Sequence, residues 1–406
     1  MKRPDGPFQA ARGVLNAFGR VADVQLGKML QPAATSALDI EVPYLRAGHL
    51  SQVPDELPRM WASPRDLIQY RVEIGDLLVA EGGDVGRVGF VPEHAAGSLI
   101  QNSLHRVRPR ADRDQRFLLY VLEAVYRGDW LEVLCNKSTF GHLTVEKLTA
   151  LRVPDPPAVM QRAIADYLDT ETARIDALIT KKKRMIELLE ERFQAAIRDR
   201  LASLAAPLLP LKRAWRVVDC KHLTPTYVDE GFPVVSPGDV SPGRLDLLRA
   251  TRFVNLHDLD DLADGPRRPR RGDIIYSRNA SIGTAAYVDT DERFCMGQDV
   301  CLISSTDQNQ LFLTYVLNTV GLDQLDVQKI GSTFSRINIS QIVELLVPVP
   351  GSSVQMELAG EFDRMADRSR GAKSKLKHQI GLLLEHRQAL ITAAVTGELE
   401  IPGVAA

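Results

Sequence analysis

The second half of this 406-residue chain repeats the first half. Matching segments keep the same order in both halves, and over the last third of each half they are separated by a constant 194 residues. A repeat of this length is too long for a solenoid, so it predicts two copies of a whole folding unit. The matched pairs include Val42–Gly48 with Phe232–Gly238, Gly75–Leu78 with Gly272–Ile275, Gln101 and Asn102 with Gln298 and Asp299, Ser138–Phe140 with Ser332–Phe334, and Val153–Pro154 with Val347–Pro348.

The first part of each copy, roughly residues 15–155 and 206–350, mixes short β-rich runs with Gly, Pro and Asp punctuation. Asp76–Ala80, Val88–Val91 and Ile274–Ser277 read as strands. One helix is predicted in each copy, around Phe117–Tyr126 and Leu311–Thr319. This composition predicts an α+β domain with many loops.

The second part of each copy predicts a long helix. After the proline stop at Pro154–Pro157, the chain contains neither Gly nor Pro over Ala158–Ala206, enough for one helix of about 65 Å at about 1.5 Å per residue. Apolar residues alternate at spacings of four and three, which is typical of a coiled-coil seam, and the simplest partner for each helix is the other one. The seam residues are Leu168, Ile175, Ile179, Ile186, Leu189 and Phe193 in the first helix, and Phe362, Leu376, Ile380, Leu383 and Leu390 in the second.

The predicted fold is α+β, with two tandem α/β domains separated by two long helices that form an antiparallel coiled coil. The expected boundaries are an N-terminal segment over 1–20 that matches nothing in the repeat, a first domain over 21–155, a first helix over 156–205, a second domain over 206–350, a second helix over 351–400, and a tail over 401–406.

Composition excludes several classes of protein. The 45% hydrophobic content excludes a disordered chain, and the net charge of -2 supplies no overall cationic field for a polyanion. The four cysteines lie far apart, which favours neither a disulfide framework nor a zinc knuckle. No apolar run approaches the roughly 20 residues of a membrane span. A cytoplasmic protein without a membrane partner is expected.

Catalytic motifs are incomplete. Glu81–Gly86 is glycine-rich but lacks the Gly-Lys-Ser/Thr ending that cradles phosphates. Asp219–Lys221 carries the Asp-x-Lys half of a nuclease metal site without a second carboxylate upstream. The histidines show no paired spacing for metal binding. We therefore expect a binding protein with no catalytic residue, no metal site and no bound cofactor.

Polar loops at matched places in the two copies are the candidate DNA contacts, because Arg and Lys bind phosphates and Arg, Asn, Gln and Ser/Thr read base edges. They share a scaffold but differ in sequence, which predicts two different half-sequences. In the first domain they are Arg46, His49, Glu81, Gly83, Arg87, Gln101, Asn102, His105, Arg106, Lys137 and Ser138. In the second they are Lys221, Thr224, Ser236, Arg278, Asn279, Ser281, Gln298, Ser332, Thr333 and Arg336.

Three features leave alternatives open. Arg267–Arg271 sits beside several aspartates, so it is either a locally neutralised loop or a DNA contact. Lys181–Arg184 lies within the predicted first helix, as either a solvated face or a contact with phosphates or a partner. Gln101 and Gln298 are either base readers or hydrogen-bonding residues that hold the fold.

The chain resembles the DNA specificity subunit of type I restriction–modification enzymes. The resemblance covers nearly the whole chain, with several motifs in the family's order in each half. It is carried by Val42–Ala47, Gly75–Gly83 and Gln101–Val107 in the first half, by Asp219–Pro225 and Val235–Val240 in the second, and by the helix endings Gln388–Ile391 and Gly397–Leu399.

The resemblance implies two target recognition domains, each reading one half of a bipartite asymmetric site in double-stranded DNA. The helix pair would set the unread spacer and dock two methyltransferase subunits, which methylate adenine with S-adenosylmethionine. Restriction subunits that use ATP and magnesium would join this complex. The specificity subunit itself would have no catalytic activity.

Two other functions stay open at this point. One is the specificity subunit of a system that methylates DNA without a restriction subunit. The other is a coiled-coil adaptor for proteins, which is supported by the seams and the near-zero net charge but opposed by the basic, mutually divergent loops.

Overall fold

A computed structural model describes residues 8, 11, 13–128, 141–329 and 336–401 of the chain, and for 326–329 it describes the backbone alone. Contacts divide the chain into two compact units. Unit 1 comprises residues 1–181 and 378–406, and unit 2 comprises residues 182–377. Each unit therefore contains one globular part together with a portion of both long helices.

Unit 1 contains a four-stranded sheet in the order β2-β8-β5-β6, a three-stranded sheet in the order β4-β3-β7, and the pair β1-β9. Its strands are Leu15–Ala17 (β1), Ala22–Leu26 (β2), Ile40–Leu45 (β3), Arg59–Ala62 (β4), Leu77–Ala80 (β5), Val88–Phe90 (β6), Leu99–Ile100 (β7), Leu104–Pro109 (β8) and Arg152–Pro154 (β9). Its helices are Phe18–Val21 (α1), Pro64–Gln69 (α2), Gln115–Arg127 (α3), Val145–Ala150 (α4) and the first portion of Ala158–Ala202 (α5), with 3-10 turns at Ala47–Leu50 and Glu93–Ala95.

The main core of unit 1 lies between the four-stranded sheet, helix α3 and the long helices. Helix α3 begins at Asp114, whose carboxylate accepts hydrogen bonds from the backbone N–H groups of Arg116 and Phe117. The Phe117 ring is fully buried with Leu77 of the sheet and Leu168 of α5 in one cluster. This packing fixes the sheet against the helices, so the loops at the sheet edges start from a rigid base.

Unit 2 contains a five-stranded sheet in the order β11-β19-β16-β17-β14, a four-stranded sheet in the order β12-β15-β13-β18, and the pair β10-β20. Its strands are Leu208–Pro210 (β10), Arg216–Asp219 (β11), Tyr227–Val228 (β12), Phe232–Val235 (β13), Gly243–Arg244 (β14), Phe253–Val254 (β15), Ile274–Ser277 (β16), Ala285–Tyr287 (β17), Cys295–Met296 (β18), Val300–Ser304 (β19) and Leu346–Pro348 (β20). Its helices are Leu256–Leu262 (α6), Gln310–Val316 (α7), Leu322–Lys329 (α8), Ile339–Ile342 (α9) and the first portion of Ser352–Thr396 (α10). A π-helical stretch, Leu317–Gly321, joins α7 to α8, and 3-10 turns lie at Leu211–Arg213, Pro237–Asp239, Leu247–Arg249 and Gly265–Arg267.

The core of unit 2 repeats this arrangement. Phe312 of α7 is fully buried with Ile274 of the sheet and Phe362 of α10. The hydroxyl of Tyr315 donates to Asp363 at 2.9 Å. In unit 1 the hydroxyl of Tyr120 donates to Asp169 in the same way, at 2.7 Å. The duplication therefore extends to individual hydrogen bonds between the globular part and its helix.

Helices α5 and α10 are each 45 residues long, as the proline stops and the Gly-free and Pro-free stretch of the first copy predict. Within unit 2 they are antiparallel, because Glu190 of α5 pairs with Lys373 of α10 and Arg200 pairs with Glu361. Within unit 1 Arg387 of α10 pairs with Asp176 of α5. This confirms the predicted antiparallel helix pair. Helix α10 ends at Thr396 and is followed by Gly397, which has a φ of +73° and so takes the left-handed conformation that glycine adopts readily.

The N-terminal segment, which the sequence repeat does not place, contributes strand β1. Leu15–Ala17 pairs antiparallel with Arg152–Pro154, just as Leu208–Pro210 pairs with Leu346–Pro348 in unit 2. Phe18, directly after β1, is fully buried in the unit 1 core. The two copies therefore begin at equivalent strands, although the sequences of those strands have diverged.

Among the described helices, none combines the length and apolar character needed to cross a lipid bilayer.

Candidate nucleic-acid interface

In unit 1 two polar loops leave the same edge of the three-stranded sheet. Strand β3 pairs in parallel with β7, with Leu45 opposite Ile100. Because parallel strands end at the same side of a sheet, the loops that start at Arg46 and at Gln101 lie next to each other. The backbone N–H of Gln101 donates to the Leu45 carbonyl at 2.8 Å, which joins the two loops directly.

Ser103 holds this edge together. Its hydroxyl accepts a hydrogen bond from the backbone N–H of Ala47 at 3.0 Å and donates to Oε1 of Gln101 at 2.6 Å. Gln101 is half-buried, and this hydrogen bond holds its amide oxygen. Arg46 is exposed at this edge, and its Nε lies 3.3 Å from Nε2 of His49.

Three predicted contact residues of unit 1 are buried. His49 is only 8% exposed, and burial together with the charge of Arg46 lowers its pKa. His105 is fully buried, with Nε2 2.6 Å from the Leu143 carbonyl, and burial lowers its pKa. Arg106 donates to the backbone carbonyl of Arg71, and burial lowers the pKa of this guanidinium. The side chains of His105 and Arg106 are committed to the interior of the unit.

A second polar cluster of unit 1 surrounds the glycine-rich turn. Glu81 is 2.9 Å from Nδ1 of His142. Arg87 pairs with Asp84, lies 5.9 Å from the centroid of the Tyr126 ring, and has a pKa raised mainly by its hydrogen bond to Asp84. Gly83 has a φ of +76°, which is a turn geometry that favours glycine. Within the turn Arg87 pairs with Asp84, and contacts to His142 and Tyr126 join the turn to neighbouring parts of the unit.

In unit 2 the corresponding edge is made by β13 and β18, which pair in parallel with Val235 opposite Met296. Ser236 follows the first strand, and Gly297 and then Gln298 follow the second, so that Gly297 stands where Gln101 stands in unit 1. A Cβ on Gly297 would meet the Ser236 hydroxyl at 3.0 Å and the Val235 carbonyl at 3.2 Å, so glycine avoids a tight contact there. Gln298 is exposed and donates to the Thr224 hydroxyl at 3.2 Å.

Arg278 is buried beneath this edge. Its guanidinium binds Asp219 of β11 and donates to the Ile337 carbonyl at 3.2 Å. The side chain is only 4% exposed, so Arg278 fixes β11, β16 and the chain after residue 336 to one another. As with Arg106, the structure places this predicted contact residue in the interior.

Asp299 organises the neighbouring side chains. It has a φ of +64°, a left-handed conformation that Asp tolerates better than most residues. Its carboxylate accepts from Asn279 at 3.3 Å and pairs with the exposed Arg336 at 2.8 Å. Nearby, the Ser281 hydroxyl donates to the Pro237 carbonyl at 2.6 Å. Ser236, Asn279, Gln298 and Arg336 are therefore brought to one edge of unit 2.

Lys221 pairs with Asp261 of α6, which draws it toward that helix. The arginine-rich loop after α6 is also paired: Arg268 lies 3.3 Å from Asp260, and Arg271 lies 2.9 Å from Asp289. Acidic neighbours thus neutralise part of this loop. In the basic run of α5, Arg184 pairs with Glu187 and Glu191 along the same helix.

The predicted contacts at Lys137, Ser138, Ser332 and Thr333 lie outside the described residues. Of the predicted seam residues, five are buried in their own unit: Leu168, Ile175, Ile179, Phe362 and Leu376. The other six, Ile186, Leu189, Phe193, Ile380, Leu383 and Leu390, are half-buried.

Ser103 and Asp299 lie in the candidate loops, but their role in organising these loops was not predicted. Ser103 contacts Ala47 and Gln101, and Asp299 contacts Asn279 and Arg336. A single Ser or Asp in a loop has no local sequence pattern that predicts such a role. The signal for Asp299 was its position beside Gln298 in the internal repeat, opposite Asn102 beside Gln101.

Among the described side chains, Asp219, Cys220 and His222 bring three ligand atoms within 4.8 Å of one another. The Asp219 carboxylate already binds the Arg278 guanidinium and accepts from the Cys220 backbone N–H. Burial raises the pKa of the Cys220 thiol, which favours its neutral form. The guanidinium of Arg278 thus binds the carboxylate of this group.

Each edge therefore presents hydrogen-bond donors and acceptors of the kind that reads base edges in a groove, held by buried pairs behind them. The side chains differ between the units, with Arg46 and Gln101 at one edge and Ser236, Gln298 and Arg336 at the other.

Comparison with known proteins gives a consistent family. Residues 21–188 and 230–380 match the model of the type I restriction modification DNA specificity domain. The specificity subunit of the type I restriction enzyme EcoBI from Escherichia coli is 21% identical over 359 residues, 81% of this chain and 75% of that protein. A putative type I restriction enzyme MjaX specificity subunit from Methanocaldococcus jannaschii is 20% identical over 383 residues, 89% of this chain and 85% of that protein.

A solved structure shares the fold. It is described as addressing complex assembly and conformational transition of the type I R-M system, and its matching chain superposes with a TM-score of 0.67 at 15% identity. The match covers 96% of the present chain and 100% of that chain.

Proposed function

Because the chain belongs to the family of type I restriction–modification DNA specificity subunits, we propose that unit 1 and unit 2 each read one half of a bipartite asymmetric site in double-stranded DNA. The observation that carries the proposal is the repeated sheet edge, where β3 and β7 in unit 1 correspond to β13 and β18 in unit 2. Arg46 and Gln101 would read one half-site, and Ser236 and Gln298 would read the other.

The partner subunits would carry out the catalysis. In this proposal the chain docks two methyltransferase subunits, which use S-adenosylmethionine to methylate an adenine in each half-site. Restriction subunits that need ATP and magnesium would join to cut DNA. Such partners would supply much of the phosphate contact, which fits a chain whose own net charge is -2.

Helices α5 and α10 would determine the number of unread base pairs between the half-sites. Each helix has 45 residues, or about 67 Å at about 1.5 Å per residue, against about 34 Å for one turn of DNA. Inserting one heptad into each helix at equivalent positions should lengthen the unread gap and leave both half-sequences unchanged. Unchanged gap length in a folded variant would contradict this role.

The proposal is tested by expressing the full chain with the methyltransferase subunits of its own system and mapping methylated adenines in the host genome. The expected result is one motif in two parts. Gln298→Ala should relax one base position in one part only, because Gln298 lies at the edge of unit 2, and Arg46→Ala should affect only the other part. A continuous motif, or an effect of one variant on both parts, would contradict the assignment of one unit to each half-site.

Adding the restriction subunits distinguishes a complete restriction–modification complex from a system that only methylates DNA. ATP-dependent cleavage of unmethylated target DNA would support a complete restriction–modification complex. Methylation without a restriction partner would support the methylation-only version.

A further inference from the structure

Unit 2 contains a cavity of about 590 Å³ between the two long helices and the globular part. Its walls come from α5, from α10, from Tyr315–Thr319 around the π-helical stretch, and from the loop Ser241–Gly243. The size lies within the range of small-molecule sites in proteins. The DNA-reading edge of this unit, formed by Ser236 and Gln298, does not line the cavity.

The cavity follows from two changes in the helix seam. Where unit 1 has the buried Ile175 and Ile179, the repeat gives unit 2 Ser369 and Lys373. A serine side chain has two fewer heavy atoms than an isoleucine side chain, and the Lys373 side chain turns to pair with Glu190. The space that the isoleucines fill in unit 1 is therefore open in unit 2.

One wall of the cavity is apolar and aromatic. The ring centroids of Phe193 and Tyr315 lie 6.3 Å apart in an edge-to-face arrangement, and Ile197 also lines the cavity. Tyr315 is held in place by its hydrogen bond to Asp363. A flat ring can pack against such a wall with little loss of side-chain entropy.

The same cavity contains polar atoms without protein partners. Oε1 of Gln194 and the hydroxyl of Ser369 are buried and make no hydrogen bond to any described residue. The amide of Gln194 is fixed because its Nε2 donates to Glu190 at 3.2 Å. An unpartnered buried acceptor is costly, so a ligand that donates N–H groups would stabilise it.

The charged lining favours an anion. Arg370, Lys373 and Lys377 line the cavity, and Glu190 is the acidic residue among the lining side chains. Arg370 also makes a 3.3 Å pair with Asp367, and Lys373 pairs with Glu190. Both pairs are partly exposed, so a phosphate can replace the carboxylate partner of Arg370 or Lys373 at small cost in free energy. Guanidinium and ammonium groups at the rim are phosphate ligands.

We propose that this cavity binds a nucleoside phosphate, with the base against Phe193 and Tyr315 and the phosphate toward Arg370 and Lys377. A flat heterocycle with N–H donors matches the aromatic wall and the free acceptor of Gln194. The phosphate matches the positive rim. Binding would fill the seam of unit 2 as Ile175 and Ile179 fill that of unit 1, and so would stabilise unit 2 by linkage.

The test uses the purified full chain, with AMP, adenosine and inorganic phosphate as separate probes in calorimetric titrations. One AMP should bind per chain, with adenosine and phosphate each at least about tenfold weaker. Ser369→Ile should weaken AMP by about tenfold or more while keeping the fold, because the larger side chain is the one unit 1 carries at this position. Arg368→Ala, on the exposed face of the same helix, is the matched control and should leave AMP binding unchanged.

Lys377→Ala separates the two ends of the site, since it should weaken AMP and leave adenosine unchanged. The proposal is overturned if AMP fails to bind at about 1 mM. It is also overturned if Ser369→Ile, with a wild-type melting profile, binds AMP as the wild type does, or if phosphate binds as tightly as AMP.

Discussion

Oε1 of Gln161, in the first turn of α5, accepts a hydrogen bond from the backbone N–H of Asp114, the residue that caps α3, at 3.0 Å. The Nε2 group of the same amide donates to the Pro156 carbonyl at 2.8 Å. Gln355 does the same in unit 2, accepting from the Asn309 N–H at 2.9 Å and donating to the Pro350 carbonyl at 2.8 Å. One buried amide thus ties the start of each long helix to the start of a domain helix.

Replacing Gln161 or Gln355 with Leu should lower the free energy of unfolding of the corresponding unit by about 1–3 kcal/mol, because a buried N–H and a buried carbonyl lose their partners. Urea unfolding followed by circular dichroism gives the measurement. Arg162→Ala, at the exposed neighbouring position, is the control and should change stability by less than about 0.5 kcal/mol. Equal effects of all three variants would show that the two amides do not anchor the helices.

The seam of α5 can be tested with two leucines of the same helix. Leu168 is fully buried in the unit 1 core, whereas Leu178 is 47% exposed. Leu168→Ala should cost about 2–5 kcal/mol of stability, as a buried leucine leaves a cavity. Leu178→Ala should cost less than about 1 kcal/mol in the same thermal and urea measurements. A reversed order would mean that the seam is assigned to the wrong face.

His105 should make unit 1 sensitive to mild acid. Its pKa in the folded state is lowered by burial, so the unfolded chain takes up a proton near pH 6.5 while the folded chain resists it. The stability due to the neutral ring is therefore complete above about pH 6.5 and declines as the pH falls below it, by at most about 1.4 kcal/mol per pH unit.

The matched variant is His105→Gln, whose side chain can still donate to the Leu143 carbonyl but does not titrate. Urea unfolding from pH 7.5 to 5 should show a shallower fall in stability for the variant than for the wild type. Parallel curves would contradict the prediction, since the other histidines are common to both proteins.

Arg278 and Arg336 should differ in how much each contributes to the stability of unit 2. Arg278→Met should reduce the stability of unit 2 by about 1–3 kcal/mol, because it leaves Asp219 and the Ile337 carbonyl without their donor. Arg336→Ala, at an exposed position, should reduce stability by less than about 1 kcal/mol. Thermal unfolding of the two variants provides the comparison, and a more damaging Arg336→Ala would contradict it.

Arg46 should contribute to DNA binding by the assembled complex. Arg46→Ala should weaken binding and relax base preference in the unit 1 half-site, with little change in the slope of log affinity against log salt, because the proposal assigns this side chain to base edges. Arg59→Ala, an exposed arginine paired with Glu41, should leave base preference and slope unchanged. Fluorescence anisotropy with target and altered sites, over a series of salt concentrations, measures both quantities. A slope lowered by about one with unchanged base preference would instead assign Arg46 to a phosphate.

The fold was largely predictable because its signals are local and repeated. The strands predicted at Asp76–Ala80 and Ile274–Ser277 are present as Leu77–Ala80 and Ile274–Ser277, and the predicted helix at Phe117–Tyr126 is Gln115–Arg127. Heptad spacing and proline stops marked the long helices. Strand β1 was missed because only its backbone pairing with β9, not its side chains, resembles β10.

The candidate site was less predictable because whether a polar side chain is buried depends on partners that lie far away in the sequence. Arg278 looks like a loop arginine in sequence, yet its partner Asp219 lies 59 residues earlier. His105 and Arg106 follow a polar loop but belong to β8, so their neighbours come from the sheet. A pattern of residue types identifies polar loops, and only the tertiary pairing separates the side chains that support a surface from those that form it.

The loops that follow β7 and β18 have an evolutionary consequence, because each has three residues, Gln101–Ser103 and Gly297–Asp299, while their sequences differ. The glutamine is the first residue of the loop in unit 1, where it is half-buried, and the second in unit 2, where it is exposed. A gene for such a chain can therefore acquire a new recognition sequence by substitutions within one short loop at one sheet edge. The packed interior inherited from the duplication would stay untouched while one half of the target changes.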